Sequence, residues 1–233
     1  MKPKINFAKR LLTAGACLVS CILSFETTTY AQDTTAVVKE AEAPVKAKPV
    51  KNTFQSIWLI DNQTVMVPFK GTFEMDIQHR FGTVDKGYSD LWGLYASSNI
   101  RIGVGYAPIN NLYLGIGLNK YDELWDVSAK YALLKQTPGE SPVSITYYGD
   151  LSYDTRKDAT KDLFAHQSDR FLSFNQIIIA RKFSDKLSLQ VAPSITHQNA
   201  VNGYYIKNDS SGQTIFEEMK QDHFAVSVSG RYK

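Results

Sequence analysis

Cysteine is nearly absent: the 233 residues contain two, Cys17 and Cys21, both among the first 31. Beyond that point the chain has no disulfide, thiolate ligand or thiol nucleophile. Long apolar runs are also scarce. The only one, at 11–25, is about 15 residues, short of the roughly 20 a helix needs to cross a bilayer. A mean hydropathy of −0.25 is likewise too polar for a bundle of membrane helices. Charge of one sign is missing too. The formal net charge of +3 comes from Lys2, Lys4, Lys9 and Arg10 against Glu26, and residues 32–233 hold 22 charges of each sign. The isoelectric point near 8.7 therefore gives no support to a polyanionic partner, and no nucleic acid is expected.

The basic start, the apolar run and the small residues of Thr29-Tyr30-Ala31 predict an export signal over 1–31, cleaved after Ala31. A second reading makes Leu18-Val19-Ser20-Cys21 a lipoprotein signal, but Ile22, Leu23 and Phe25 would then open the mature chain. Residues 32–53, rich in Ala, Lys, Glu, Pro and Val and without aromatics, read as a disordered periplasmic tether.

What is abundant is aromatic: 13 Tyr, 12 Phe and 3 Trp. From residue 71 apolar and polar side chains alternate. Phe73, Met75, Ile77, His79 and Phe81 oppose Glu74, Asp76, Gln78 and Arg80, and the same period recurs at 99–106, 112–119, 125–133, 143–153, 187–196 and 223–232. In 170–183 the run Ile177-Ile178-Ile179 breaks it, and a β-bulge is expected there. The connections sort by length. Those at 107–110, 136–141 and 184–186 are short, whereas 83–95, 154–169 and 198–221 are long and polar, with 120–123 the short exception. Short turns at one end, long loops at the other and aromatics at strand ends are the marks of an outer-membrane barrel. The expected fold is all-β: an antiparallel up-and-down transmembrane β-barrel over 71–233. It has eight strands (ten is the alternative count) and is closed by its first and last strands. Residues 54–70 are left over as a plug at the barrel mouth or a short extra hairpin.

With the apolar face toward lipid, the lumen face carries Glu74, Asp76, Asp126 and Asp150 against Arg80, Arg101, Lys130, Arg181 and Arg231. Eight strands enclose only their own side chains. These charges are therefore expected to form one ion-paired network in a closed lumen. Gly103, Gly105, Gly115 and Gly117 fall on the same face, where they make room for neighbours.

Four segments carry a resemblance: His79-Arg80-Phe81-Gly82; the run from Asn99 to Tyr106; Lys130-Tyr131 with Leu133, Leu134 and Gln136; and Pro142-Val143-Ser144. Through them the region from residue 54 onward resembles a Gram-negative family of unknown function whose members are predicted outer-membrane β-barrels. The resemblance implies barrel and location and brings no activity. Two positions depart from the expected pattern. Leu118-Asn119-Lys120 stands where the family has an Arg-Ser pair, and Lys233 follows the terminal aromatic Tyr232.

All four histidines, His79, His166, His197 and His223, fall near the predicted outer rim. His166, Ser168 and Asp169 supply the residue types of a catalytic triad, though types alone do not place them in contact. No zinc or copper spacing, phosphate loop or nucleophile elbow occurs, so no metal or cofactor is expected. The expectation is a non-enzymatic outer-membrane protein with a structural or surface-interaction role. Its partners would be membrane lipid and a protein at the surface or in the periplasm. A lipid-modifying enzyme and a small-solute channel are the alternatives.

Overall fold

The computed structural model describes residues 47–157, 164–201, 203–207 and 214–233. The signal, its cleavage at Ala31, Cys17, Cys21 and the tether up to residue 46 lie outside these, as do parts of the 154–169 and 198–221 loops.

Two short strands come first, β1 (Trp58–Leu59) and β2 (Asn62–Gln63), paired as a small hairpin. Then follow β3 (Phe73–Arg80), β4 (Asn99–Ile109), β5 (Leu112–Asn119), β6 (Leu124–Leu134), β7 (Ser144–Asp154), β8 (Phe171–Lys182) and β9 (Leu187–Gln198). A second hairpin, β10 (Gly203–Lys207) and β11 (Thr214–Glu218), rises from the last long connection, and β12 (Asp222–Tyr232) ends the chain. One eight-stranded antiparallel sheet holds β3 to β9 and β12, each strand beside its predecessor in this set. The connections at the turn end are too short for a crossover and allow only antiparallel neighbours.

The faces are inverted relative to a water-soluble sheet. Val127 on β6 is 60% exposed, whereas Lys130, on the opposite face of the same strand, is 0% exposed. The same holds around the sheet. Phe73, Met75, Ile77, Leu114, Ile116, Leu151, Val226 and Val228 are exposed, while Thr146, Gln176, Ser188 and Gln190 are buried. Aromatics lie in rows at the strand ends: Trp125, Tyr153 and Phe171 are successive partners at the loop end, Phe73 and Tyr106 at the turn end. Such a surface is stable only against hydrocarbon.

Two expectations are corrected. The first is closure: β3 and β12 are the edges of the sheet, and no ladder joins them. Eight strands leave an interior that side chains alone fill, and here the β1–β2 segment shares it with them. The second is the bulge at Ile177-Ile178-Ile179. The β7–β8 register runs unshifted from Tyr153↔Phe171 to Ser144↔Ala180. Irregularities fall instead between Tyr106 and Ile109 and between Ala132 and Leu134, beside the turns. The alternation breaks at Ile178 because that inward side chain packs on Phe54 and Val65 rather than on polar neighbours.

If the exposed apolar face meets lipid, Val127→Arg should destabilise the protein in phospholipid vesicles by about 2–4 kcal/mol. Denaturant titration measures it. A change within about 0.5 kcal/mol, normal for a watery surface, would contradict the orientation.

Candidate functional site

The lumen is built around the N-terminal segment. It enters at the turn end, where the Val50 amide donates to the Gln136 carbonyl (2.8 Å) and the Lys51 carbonyl accepts from Lys182 Nζ (3.3 Å). Arg231 of β12 donates to the Asn52 carbonyl. Residues 50–53, expected in the tether, are thus held against the barrel. The chain then runs toward the loop end, turns at Asp61, which pairs with Arg80, and returns to Lys70, whose amide donates to Asn110 Oδ1 (3.0 Å). Residues 54–70 thus carry a hairpin of their own and lie against the inner face of the sheet, and the segment is called the plug for that position.

Neighbouring wall residues hold the plug by its backbone. Gln190 clamps it twice: Oε1 accepts from the Val65 amide (2.9 Å) and Nε2 donates to the Gln63 carbonyl (2.8 Å). Thr146 Oγ1 donates to the Val65 carbonyl (2.9 Å). Lys130 Nζ donates to the Ile57 carbonyl (3.2 Å) and to Gln63 Oε1 (3.0 Å). These bonds satisfy plug groups that would otherwise be buried without partners. Apolar contact completes the seat: Phe54 and Val65 join Tyr148, Ile178, Ala180 and Ala192 in one buried cluster. Trp58 meets the Tyr148 ring edge-on at 6.4 Å and lies 5.7 Å below the Arg101 guanidinium.

Arg101 organises the far side of the lumen. Its Nη1 donates to Asp76 (2.7 Å), and Nε (3.0 Å) with Nη2 forms a two-pronged bond to Asp126. Register explains the fit. Asp76, Gly103, Gly117 and Asp126 are successive partners across β3–β6, so two acids flank a hollow floored by two glycines. The guanidinium lies in that hollow, and a Cβ on either glycine would overlap the bridge. One step along, Gly105 makes room for the Tyr113 ring, whose hydroxyl lies near Glu74.

The nine charged residues expected as one network are thus divided. Among the described residues Arg101 is ion-paired with Asp76 and Asp126; Arg80 pairs with Asp61 and reaches Asp76 through Gln78, and Lys130 and Arg231 bind the N-terminal segment. Asp150 accepts from Ser152 (2.9 Å) and Tyr148 (3.3 Å), and Arg181 lies 5.2 Å from the Phe183 ring. The reason is that several of the polar partners on the inner face come from 50–70, which strand periodicity does not reveal. Tyr148, Gln176, Gln190 and Asp61 were missed for the same cause. The signal was available in Ile178, an apolar residue on a polar face.

At the outer rim His166, Ser168 and Asp169 share one turn. Asp169 Oδ2 accepts the His166 amide (2.8 Å) and Oδ1 accepts Ser168 Oγ (3.3 Å), while His166 Nδ1 stands 3.8 Å from the carboxylate. These contacts cap the 3-10 turn Gln167–Arg170. The His166 amide holds the Asp169 carboxyl below the usual range. Ser168 points to the acid, and the contacts lack the serine–imidazole link of a triad. His197 bonds Asp222 (2.7 Å) and Asn199 (2.8 Å), and His79 stacks edge-on against Phe81 at 4.7 Å. Among the described residues no three His, Cys, Asp or Glu side chains group as a metal site.

An up-and-down sheet with lipid-compatible outer residues and a polar interior defines a membrane-bound barrel protein. Consistent with this, the chain belongs to a family described as a membrane-bound β-barrel domain of unknown function, DUF5777, whose model matches residues 54–233 and thus includes the plug. No curated protein and no solved structure matches the chain.

Replacing Arg101 by Met strands two carboxylates in the lumen and should destabilise the protein by about 3–5 kcal/mol. Gly117→Ala, which only crowds the same bridge, should cost about 1–3 kcal/mol. Unfolding in detergent micelles measures both. A loss under about 1 kcal/mol for Arg101→Met would mean the cluster is solvated.

Proposed function

We propose that the protein is an outer-membrane barrel of a Gram-negative envelope, exported by a cleaved signal. Its lumen is closed by its own N-terminal segment, and its role is structural or surface-interactive rather than conductive or catalytic. The observation that carries this reading is the plug: five hydrogen bonds from Gln190, Thr146 and Lys130 hold 57–65 across the lumen. Sorted connection lengths support the orientation, with both termini in the periplasm and the long loops outside.

The loop after β3 supports a recognition surface. Leu91 (φ 52°) and Trp92 (φ 53°) are consecutive left-handed residues before Gly93 (φ 86°), each non-glycine costing about 1–3 kcal/mol. Asp90, buried beneath, accepts the Gly93 amide (3.1 Å). The knot displays Tyr88 and Trp92, stacked edge-on at 5.8 Å and both exposed. Rigid aromatic pairs of this kind suit protein or lipid-headgroup contact.

Unpaired strand edges are costly in hydrocarbon, so in the bilayer β3 is proposed to meet β12. Ile77→Cys combined in turn with cysteine at Val226, Val228 or Gly230 should give one cross-linked pair in membranes. Failure of all three would leave the seam open. In planar bilayers the intact protein should pass no steady current, and removing 54–66 should open a conducting path. Stable conductance steps from the intact chain would replace the plugged reading with a channel.

A further inference from the structure

The plug does not fill the turn end of the lumen. Between its two legs and the walls of β3, β6 and β7 lies a cavity of about 930 Å³, near the top of the roughly 300–1,000 Å³ typical of small-molecule sites. We propose that this cavity binds a single-chain anionic amphiphile, an acyl chain carrying one negatively charged head, which enters from the inner leaflet or the periplasm.

The lining sorts by chemistry. Phe54, Trp58, Met66, Phe69 and Leu134 supply an apolar wall, and Lys48, Lys51 and Lys135 stand beside them on the turn-end segments. Two carboxylates, Glu74 and Asp76, also face the cavity. Asp76 is paired with Arg101 and Glu74 lies by the Tyr113 hydroxyl, which leaves the three exposed lysines in excess over the carboxylate that is not ion-paired. An uncharged alkane would use none of these ammonium groups, of which Lys135 also donates to the Asn110 carbonyl (3.3 Å), and a compact anion such as phosphate would leave the aromatic wall wet. A molecule with a long apolar tail and one anionic head satisfies both.

The cavity also touches hydrocarbon. Met75 lines it, yet it belongs to the outward row of β3 and is 63% exposed. The space therefore reaches the β3 side of the seam, which a membrane amphiphile can approach from the turn end. The inference uses the plug legs as walls but not the non-conducting role, so a leaky barrel could still bind.

Trp58, one of three tryptophans, is a built-in reporter. In the Trp92→Phe/Trp125→Phe protein, assembled in phospholipid nanodiscs, brominated stearate and brominated stearoyl lysophosphatidylglycerol should quench Trp58 saturably. The neutral brominated stearyl alcohol should quench it weakly and without saturation. Saturation by one anionic compound alone would identify the source as free fatty acid or as lysophospholipid. Lys51→Glu/Lys135→Glu should raise the half-saturating concentration at least tenfold, and Lys51→Gln/Lys135→Gln gives the same reading should the first variant not fold. Quenching that rises linearly, as expected for lipid-facing Trp125 alone, would overturn the proposal. So would equal saturation by the alcohol.

Discussion

A bilayer reverses the ordinary rule of burial, and every other feature of this chain follows from that reversal. Leucine, isoleucine, valine and phenylalanine can stand exposed on the outside of β3–β9 and β12 only because hydrocarbon is the solvent there. The polar half of each strand must then face inward, into a space with little water, where an unpartnered amide or charge is expensive. The interior is consequently a problem of satisfaction rather than of packing. The chain meets it in two ways: Arg101 draws two aspartates across a glycine floor, and a length of the chain's own backbone is brought in to occupy the donors and acceptors of Lys130, Thr146 and Gln190.

Strand periodicity made the wall legible. Residues such as Phe73, Met75 and Ile77 repeat every second position, and that spacing alone assigns strand, face and solvent. Connection lengths then assigned the two ends. What periodicity cannot express is a partner that is not a strand of the sheet. Residues 54–70 carry apolar pairs, Ile57-Trp58 and Val65-Met66, with no sustained period, so the segment gave no sign of where it docks. Its docking site did leave a trace on the wall: Ile178 interrupts a polar face where Phe54 packs. In sequence that interruption reads as a backbone irregularity, because a bulge is the commoner local cause of lost alternation.

The charged residues show the same division. Asp76 and Asp126 lie in one register row across β3–β6, and Arg101 is the next inward position on β4 from Gly103 of that row, so pairing between them could be anticipated from wall positions alone. Arg80, Lys130 and Arg231 find oxygen atoms on Asp61, Ile57, Gln63 and Asn52, none of which belongs to the wall. Closure is not written in the strands either: counting them fixes a barrel's circumference but not whether its first and last edges pair, nor what it must contain.

Spin labels placed singly along 124–134 test the central claim most directly, through their accessibility to oxygen and to a polar nickel chelate in membranes. Oxygen should reach 125, 127, 129, 131 and 133 with a period of two, while 126, 128 and 130 are shielded from both reagents by the plugged lumen. Nickel access at those inward positions, or a loss of the two-residue period, would contradict it.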